Sequence, residues 1–203
     1  MTPEELLLLI ISSPSGAGKT TLTRRLLQQF PLLDFSVSHT TRKRRAQEVD
    51  GRDYHFVDRT TFEARIAGGD FAEWAEVHGN LYGTSLSELD RARKNKRSGI
   101  VFDVDYQGAR QIRSSFPWAV GIFILPPSME ELERRLRGRA SEDEDAIRRR
   151  FEKAKIEIEH YPFFDYVIVN DELDRAAAQL CGVVHAEGCR RQRMAKHAER
   201  LLR

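Results

Sequence analysis

Residues Ser13-Pro14-Ser15-Gly16-Ala17-Gly18-Lys19-Thr20-Thr21 combine two glycines, a lysine and a row of hydroxyls in a spacing suited to a phosphate chain. In such a loop successive backbone N–H groups converge on an anion, a lysine neutralises the outer phosphates and a hydroxyl reaches a metal ion. Gly16 and Gly18 permit close backbone approach, Lys19 supplies the charge and Thr20 the metal hydroxyl, along a nucleotide-facing stretch that runs from Ser15 through Ala17 to Thr21. The pattern G-x-x-x-x-G-K-[ST] wants a glycine where this chain has Ser13. Ser13 precedes Pro14, and a residue before proline is held in the β or polyproline region at negative φ, which serine tolerates. The loop therefore reads as functional.

Three further groups could do chemistry. "RKRR", Arg42 to Arg45, followed by Tyr54, offers guanidinium groups for a second phosphate, although a lone basic run also suits a solvated face. Asp103 and Asp105 close the apolar run "IVFDVD" on one face of a strand, at the C-terminal end where open α/β folds bind ligands, or else cap a helix and form a turn. The segment from Gly138 to Arg150 is charged, poor in apolar residues and expected to be mobile.

These groups need a frame. Apolar, β-branched runs at Leu6–Ser12, Phe35–Ser38, Ile100–Asp105, Ala119–Leu125 and Tyr166–Val169 alternate with amphipathic stretches. That alternation predicts an α/β fold with a parallel sheet flanked by helices. Helices are expected over Lys19–Phe30, Ser87–Lys96, Gln107–Ser114, Ser128–Leu136, Glu142–His160 and from Leu173 to near the C-terminus. Between Thr40 and Leu86, "DYHFV" and "DFAEWAEV" with turns at Asp50-Gly51, Gly68-Gly69 and Gly79-Asn80 predict a small, partly antiparallel insertion.

The segments "SPSGAGKTT", "FSVSHTTRKRRAQEVDGRDYHF", "FAEWAEVHGNLYGTS", "VFDVDYQGA", "LPPSMEELERRLRGR" and "VIVNDEL" together resemble guanylate kinase, in order and over nearly the whole chain. The resemblance implies the P-loop nucleoside monophosphate kinase fold. It divides the chain into a core (1–37, 87–126, 161–203), a GMP-binding insertion of mixed α/β structure (38–86) and a helical lid (127–160). It implies transfer of the γ-phosphoryl group of ATP to GMP, and to dGMP, with Mg2+ as the cofactor.

Carried over residue by residue, it makes Arg42, Arg45, Tyr54 and Tyr82 the clamp on the GMP phosphate, and Ser38, Glu73 and Thr84 the readers of guanine. A carboxylate at Glu73 accepts from guanine N1–H and the 2-amino group, whereas adenine reverses or lacks those groups. It also implies that Asp103 and Asp105 order the acceptor end and hydrate magnesium, with Thr20 and Asp103 at the metal. Arg135, Arg139 and Arg150 become lid arginines over ATP, Asn170 a residue near the adenine edge, and Lys19, Arg42, Arg139 and Arg150 the catalytic set. The family usually has glycine or alanine at the position of Ser13, proline at that of Arg44 and glycine at that of Gln47, so the clamp loop here is expected to be looser.

Composition excludes other classes. Lys+Arg at 33 nearly cancels Asp+Glu at 31, leaving no whole-protein field of the kind that non-specific nucleic-acid binding uses. The longest unbroken apolar run, Leu6–Ile11, is far short of the roughly 20 residues a membrane helix needs. With no signal-peptide pattern and two cysteines, the cytoplasm is the expected compartment, and a homo-oligomer is left open. Cys181, His185 and Cys189 share a helical spacing but lack a fourth ligand, and read as ordinary packing.

Overall fold

The protein is described from a computed structural model covering residues 6–77, 79–138 and 144–202. Five strands, β1 (Leu7–Ser12), β2 (Leu33–Phe35), β7 (Gly99–Asp103), β8 (Val120–Leu125) and β9 (Tyr166–Val169), form one sheet in the order β2-β7-β1-β8-β9. Every pairing in it is parallel. Along the central strand, Leu8 and Ile10 face one apolar cluster while Leu7, Leu9 and Ile11 face the other. That period of two, with every residue of β1 buried, is what a sheet covered on both faces requires.

The first face is covered by α3 (Leu86–Lys94) and α4 (Tyr106–Ser115), through Leu89, Ala92, Ala109 and Ile112. The second is covered by α1 (Lys19–Gln29) and α7 (Leu173–Gly188), through Leu22, Leu26, Ala176, Leu180 and Val184. The expected strand at Phe35–Ser38 lies earlier, at Leu33–Phe35. Its register with β7 is Leu33↔Gly99 to Phe35↔Val101, and after Ser36 donates to the Val101 carbonyl at 3.0 Å the chain turns away.

It turns into a second sheet, ordered β4-β3-β6-β5, built from β3 (His39–Thr40), β4 (His55–Phe56), β5 (Phe71–Val77) and β6 (Asn80–Ser85). The β3–β6 and β5–β6 pairs are antiparallel and β3–β4 is parallel. Gly51, Gly69 and Gly79, at the three expected turns, all have positive φ.

This region also holds a helix the sequence reading lacks, α2 (Arg59–Ala67). Asp58 caps it by accepting from Thr61 N–H at 2.7 Å, and Phe62 is its one fully buried side chain, so little apolar periodicity marked it. The C-terminal helix is likewise two, α7 and α8 (Arg191–Leu201), broken at Cys189-Arg190; α8 buries no side chain.

Helices α5 (Met129–Arg137) and α6 (Glu144–Ile158) pack through a third cluster of Leu132, Leu136, Ile147 and Ala154. From Glu144 onward the charged segment expected to be mobile is therefore helical, anchored by Ile147. Among the described residues, no helix is long and apolar enough to cross a membrane.

Candidate functional site

Strand β1 delivers the phosphate loop at the C-terminal edge of the parallel sheet, and α1 leaves from it at Lys19. Gly16 (φ 96°) and Gly18 (φ 95°) both occupy the left-handed region. A Cβ on Gly16 would stand 2.9 Å from Leu132 Cδ1, and one on Gly18 would run into the Asn170 amide. Lys96 is the one non-glycine residue with positive φ among those described, so Ser13 sits at negative φ, as its position before Pro14 predicts. The Ser13 hydroxyl donates to the Pro14 carbonyl at 3.0 Å.

The lysine and the strand-end acids are brought together. Lys19 Nζ pairs with Asp103 and lies 3.4 Å from the Val104 carbonyl. Thr20 and Thr21 are exposed at the start of α1, and Thr20 shares a cleft of about 460 Å3 with Asp103, Arg24 and Arg52. The two acids have separate partners. Asp105 caps α4, its Oδ1 accepting from Gln107 N–H at 2.9 Å and Gly108 N–H at 3.0 Å, while Asp103 meets the lysine.

Behind the loop, Asn170 is 6% exposed and donates from Nδ2 to the Ala17 carbonyl at 2.7 Å. Arg135 donates to the Asn170 carbonyl at 3.1 Å and pairs with Glu131 at 2.7 Å. Both thus brace the loop against α5. Arg150, from α6, donates to Ser15 Oγ at 2.7 Å. Arg139 lies outside the described residues.

A second cleft, of about 320 Å3, opens between the two sheets and is lined by Ser38, Tyr54, Glu73, Tyr82, Asp103, Asp105 and Lys153. Glu73 and Thr84 are directly paired across β5 and β6, beside a register shift between Phe71 and Glu73 that re-aims the strand. Glu73 is only 6% exposed. Burial raises its pKa to about 7; Thr84 opposes by hydrogen bonding, and the Asp105 charge adds to the rise. Space for the carboxylate comes from Gly108, where a Cβ would stand 2.9 Å from Glu73 Oε2. Ser38 Oγ and Thr84 Oγ1 are 3.4 Å apart.

At the other end of this cleft, Arg42 pairs with Glu48 at 2.6 Å and lies 5.4 Å from the centre of the Tyr54 ring. Its pKa is raised, first by the hydrogen bond to Glu48 and further by Tyr82. Burial raises the Tyr54 phenol, as do neighbouring Tyr82 and Asp103. Arg45 is exposed, and its backbone N–H donates to Glu48 Oε2 at 2.8 Å.

The cleft beside the phosphate loop and the second cleft with its buried acid thus share Asp103 between them. A family model described as guanylate kinase matches residues 6–187. The chain belongs to the guanylate kinase family. A guanylate kinase from Myxococcus xanthus is 53% identical, covering 93% of this chain and 90% of its own. One from Aromatoleum aromaticum is 52% identical over 96% of this chain and 94% of its own. A crystal structure of guanylate kinase from Anaplasma phagocytophilum superposes with a TM-score of 0.76 at 35% identity, covering 95% of this chain and 92% of that one.

Against the family pattern, the loop departures fall in different settings. Ser13 is partly buried beside the phosphate loop, whereas Arg44 and Gln47 are exposed. The structure also adds residues that sequence reasoning passed over. Lys153 lines the second cleft from α6. Glu157, one helical turn on, accepts from Ser15 N–H at 3.3 Å, and burial raises its pKa. Gln111 exchanges two hydrogen bonds with the Trp74 backbone, at 3.1 and 2.8 Å, so α4 closes the edge of β5 as another strand would. Gln111 and Glu157 look in sequence like ordinary helix-surface residues, and only the neighbouring element gives them meaning.

A further cavity of about 390 Å3 lies at the opposite edge of the main sheet. Two ion pairs line it, Arg113 with Asp165 at 2.7 Å and Arg190 with Glu187 at 2.8 Å.

Proposed function

We propose that the second cleft takes GMP, and also dGMP, and that the γ-phosphoryl group of ATP on the phosphate loop is transferred to it. The chain is a nucleoside monophosphate kinase of the guanylate kinase family, and the acceptor assignment rests on the buried Glu73 carboxylate. An acid at 6% exposure beside two hydroxyls is costly unless a ligand supplies donors. Guanine supplies two, at N1 and the 2-amino group, while Ser38 and Thr84 hydroxyls can donate to O6.

The acceptor nucleophile is already a phosphate oxygen, so no strong general base is required. The work is positioning and charge stabilisation. Arg42 and Arg45, with the Tyr54 and Tyr82 phenols, hold the acceptor phosphate. Arg42 exchanges Glu48 for it, a trade of one anion for another. Lys19, held ready by Asp103, turns to the transferring group. Arg150, with Arg135 and Arg139, supplies positive charge from the lid side over ATP, and Asn170 orders the loop near the adenine.

Thr20 and Asp103 offer oxygen donors in one cleft, which suits Mg2+, an ion that keeps most of its water and takes one or two protein ligands. When bound, Mg2+ neutralises charge developing on the phosphates. Closure of the lid (127–160) and insertion (38–86) on the core excludes water and suppresses ATP hydrolysis. We place the reaction in the cytoplasm, with nucleotides rather than nucleic acid or membrane as partners.

The test is ADP release coupled to a reporter, across GMP, dGMP, AMP, UMP and CMP. Guanine nucleotides are expected to be the strong acceptors, with magnesium required. A preference for another base overturns the assignment of Glu73.

A further inference from the structure

The chain leaves the main sheet through Ser36, Val37 and Ser38, and returns to it through Thr84, Ser85 and the first turn of α3. Glu88 lies in that turn. It is 4% exposed, and the phosphoryl-transfer chemistry gives it no task. Its Oε2 accepts from Val37 N–H at 2.9 Å and pairs with Arg91 Nη2 at 3.0 Å, and its Oε1 stands 3.7 Å from His55 Nε2. Arg91 also donates to the Phe35 carbonyl at 3.1 Å, tying the same turn to the end of β2.

Three segments thus converge on one carboxylate: the outgoing path at Val37, the insertion strand β4 at His55, and α3 itself. Ser38 is caught between two of these constraints. The N–H of the residue before it, Val37, is held by Glu88, and its own carbonyl accepts from His55 N–H at 2.9 Å. Its hydroxyl faces Thr84, four residues before Glu88 on the returning path.

An acid in the first turn of a helix is favourable to the helix dipole wherever it points. That role needs no contact with Val37 or His55, and a buried carboxylate is otherwise a costly choice for a packed position. What it adds is a fixed separation, since one carboxylate that meets groups from separate segments holds them in one geometry.

We infer that Glu88 is a positioning residue for base recognition: it pins the outgoing and returning paths together and so sets Ser38 against Thr84 and Glu73, without touching the nucleotide. The inference rests on the guanine-reading role given to those three residues.

The test is steady-state kinetics with GMP and AMP as acceptors for wild type, Glu88→Ala and Glu88→Gln, with the ATP Michaelis constant and thermal melts measured alongside. Glu88→Ala is expected to lower kcat/KM for GMP about tenfold, chiefly through KM, and to narrow the GMP-to-AMP preference at least fivefold at an unchanged KM for ATP. Glu88→Gln keeps an acceptor for Val37 N–H and is expected to recover most of that preference. Should the alanine variant not fold, Glu88→Asp, one methylene shorter, is expected to show the same narrowing. A GMP-to-AMP ratio within twofold of wild type in whichever of these folds, or a parallel rise in both Michaelis constants, overturns the inference and leaves Glu88 a fold-supporting residue. A wild-type enzyme without GMP preference overturns the proposed acceptor instead, so the two failures are told apart.

Discussion

The interior of the five-stranded sheet is apolar on both faces, whereas the four-stranded sheet buries His39, Thr40, Glu73, Thr84 and Ser85. His39 shows how such an interior is tolerated. Its ring lies tilted against that of His55, centroids 4.5 Å apart, and meets Arg65, and burial, followed by the charges of Arg65 and His55, lowers its pKa to about 4. The ring therefore stays neutral and accepts from the guanidinium. The donor side is built differently. Its phosphate loop hangs from a wholly buried strand and presents backbone and one lysine. An apolar frame can hold a backbone anion site without burying any ionised group; a site that reads a base has to bury polar side chains. The donor half should therefore fail through charge, and the acceptor half through both stability and specificity.

Removing the donor charge gives the largest effect. Lys19→Met is expected to lower kcat by about 10²–10³-fold, the usual loss for one preorganised donor to a developing charge. The Michaelis constant for GMP should stay within a factor of a few. A comparable collapse of GMP binding would show that the two halves are not separable in this way.

Glu73→Gln addresses the acceptor half twice over. The amide introduces a donor against guanine, so kcat/KM for GMP is expected to fall by roughly 1–3 kcal/mol while AMP use rises and the ATP Michaelis constant holds. Stability should move the other way. The folded pKa of Glu73 is about 7 against an ordinary 4.5, so the native state holds the proton more tightly and loses stability as pH rises through that window. Without nucleotide, the glutamine variant should thus melt above wild type at pH 8, with an advantage that shrinks towards pH 5. A pH-independent difference between the two melting curves would remove the buried ionisation from the account.

Arg42→Lys should cost less. Lysine keeps the charge but cannot present a fork to a phosphate, so KM for GMP is expected to rise about tenfold, near 1.4 kcal/mol, with ATP unaffected. Because Glu48 also bonds the Arg45 backbone, Glu48 stays anchored in the variant. Equal damage to both substrates would point to a folding role for the clamp loop.

These contrasts also explain what could be read from the chain in advance. Strands β1, β7, β8 and β9 follow from uninterrupted apolar runs, and the phosphate loop from its glycines, lysine and hydroxyls, because both depend on local spacing. Helix α2 was not legible, since one buried phenylalanine leaves little periodicity. For Glu73, the strand placed it but only the register with Thr84 and the space at Gly108 reveal a buried acid. Asp105 caps α4 and also lines the second cleft, while Asp103 partners Lys19, an arrangement that spacing along the strand does not carry. Glu88 and Gln111 gave no signal, because each acts on a segment distant in sequence and local patterns carry no such information.

The smallest effect is expected at Ser13, where the phosphate loop lacks the glycine of its usual pattern. Gly16 and Gly18 occupy the left-handed region and cannot be replaced without strain, but Ser13 sits at negative φ before Pro14 and needs no such freedom. Its hydroxyl bonds the adjacent Pro14 carbonyl, a local contact that itself takes none of the loop's backbone N–H groups. Ser13→Gly should therefore change the Michaelis constant for ATP less than threefold. It should also loosen the unfolded chain, lowering stability by about 0.4–1 kcal/mol and the melting temperature by roughly 1–4 °C. ATP kinetics and a melt on the same preparation decide it. A tenfold or greater gain in kcat/KM for ATP would mean that serine distorts the anion site after all, and that the donor half depends on its side chains as the acceptor half does.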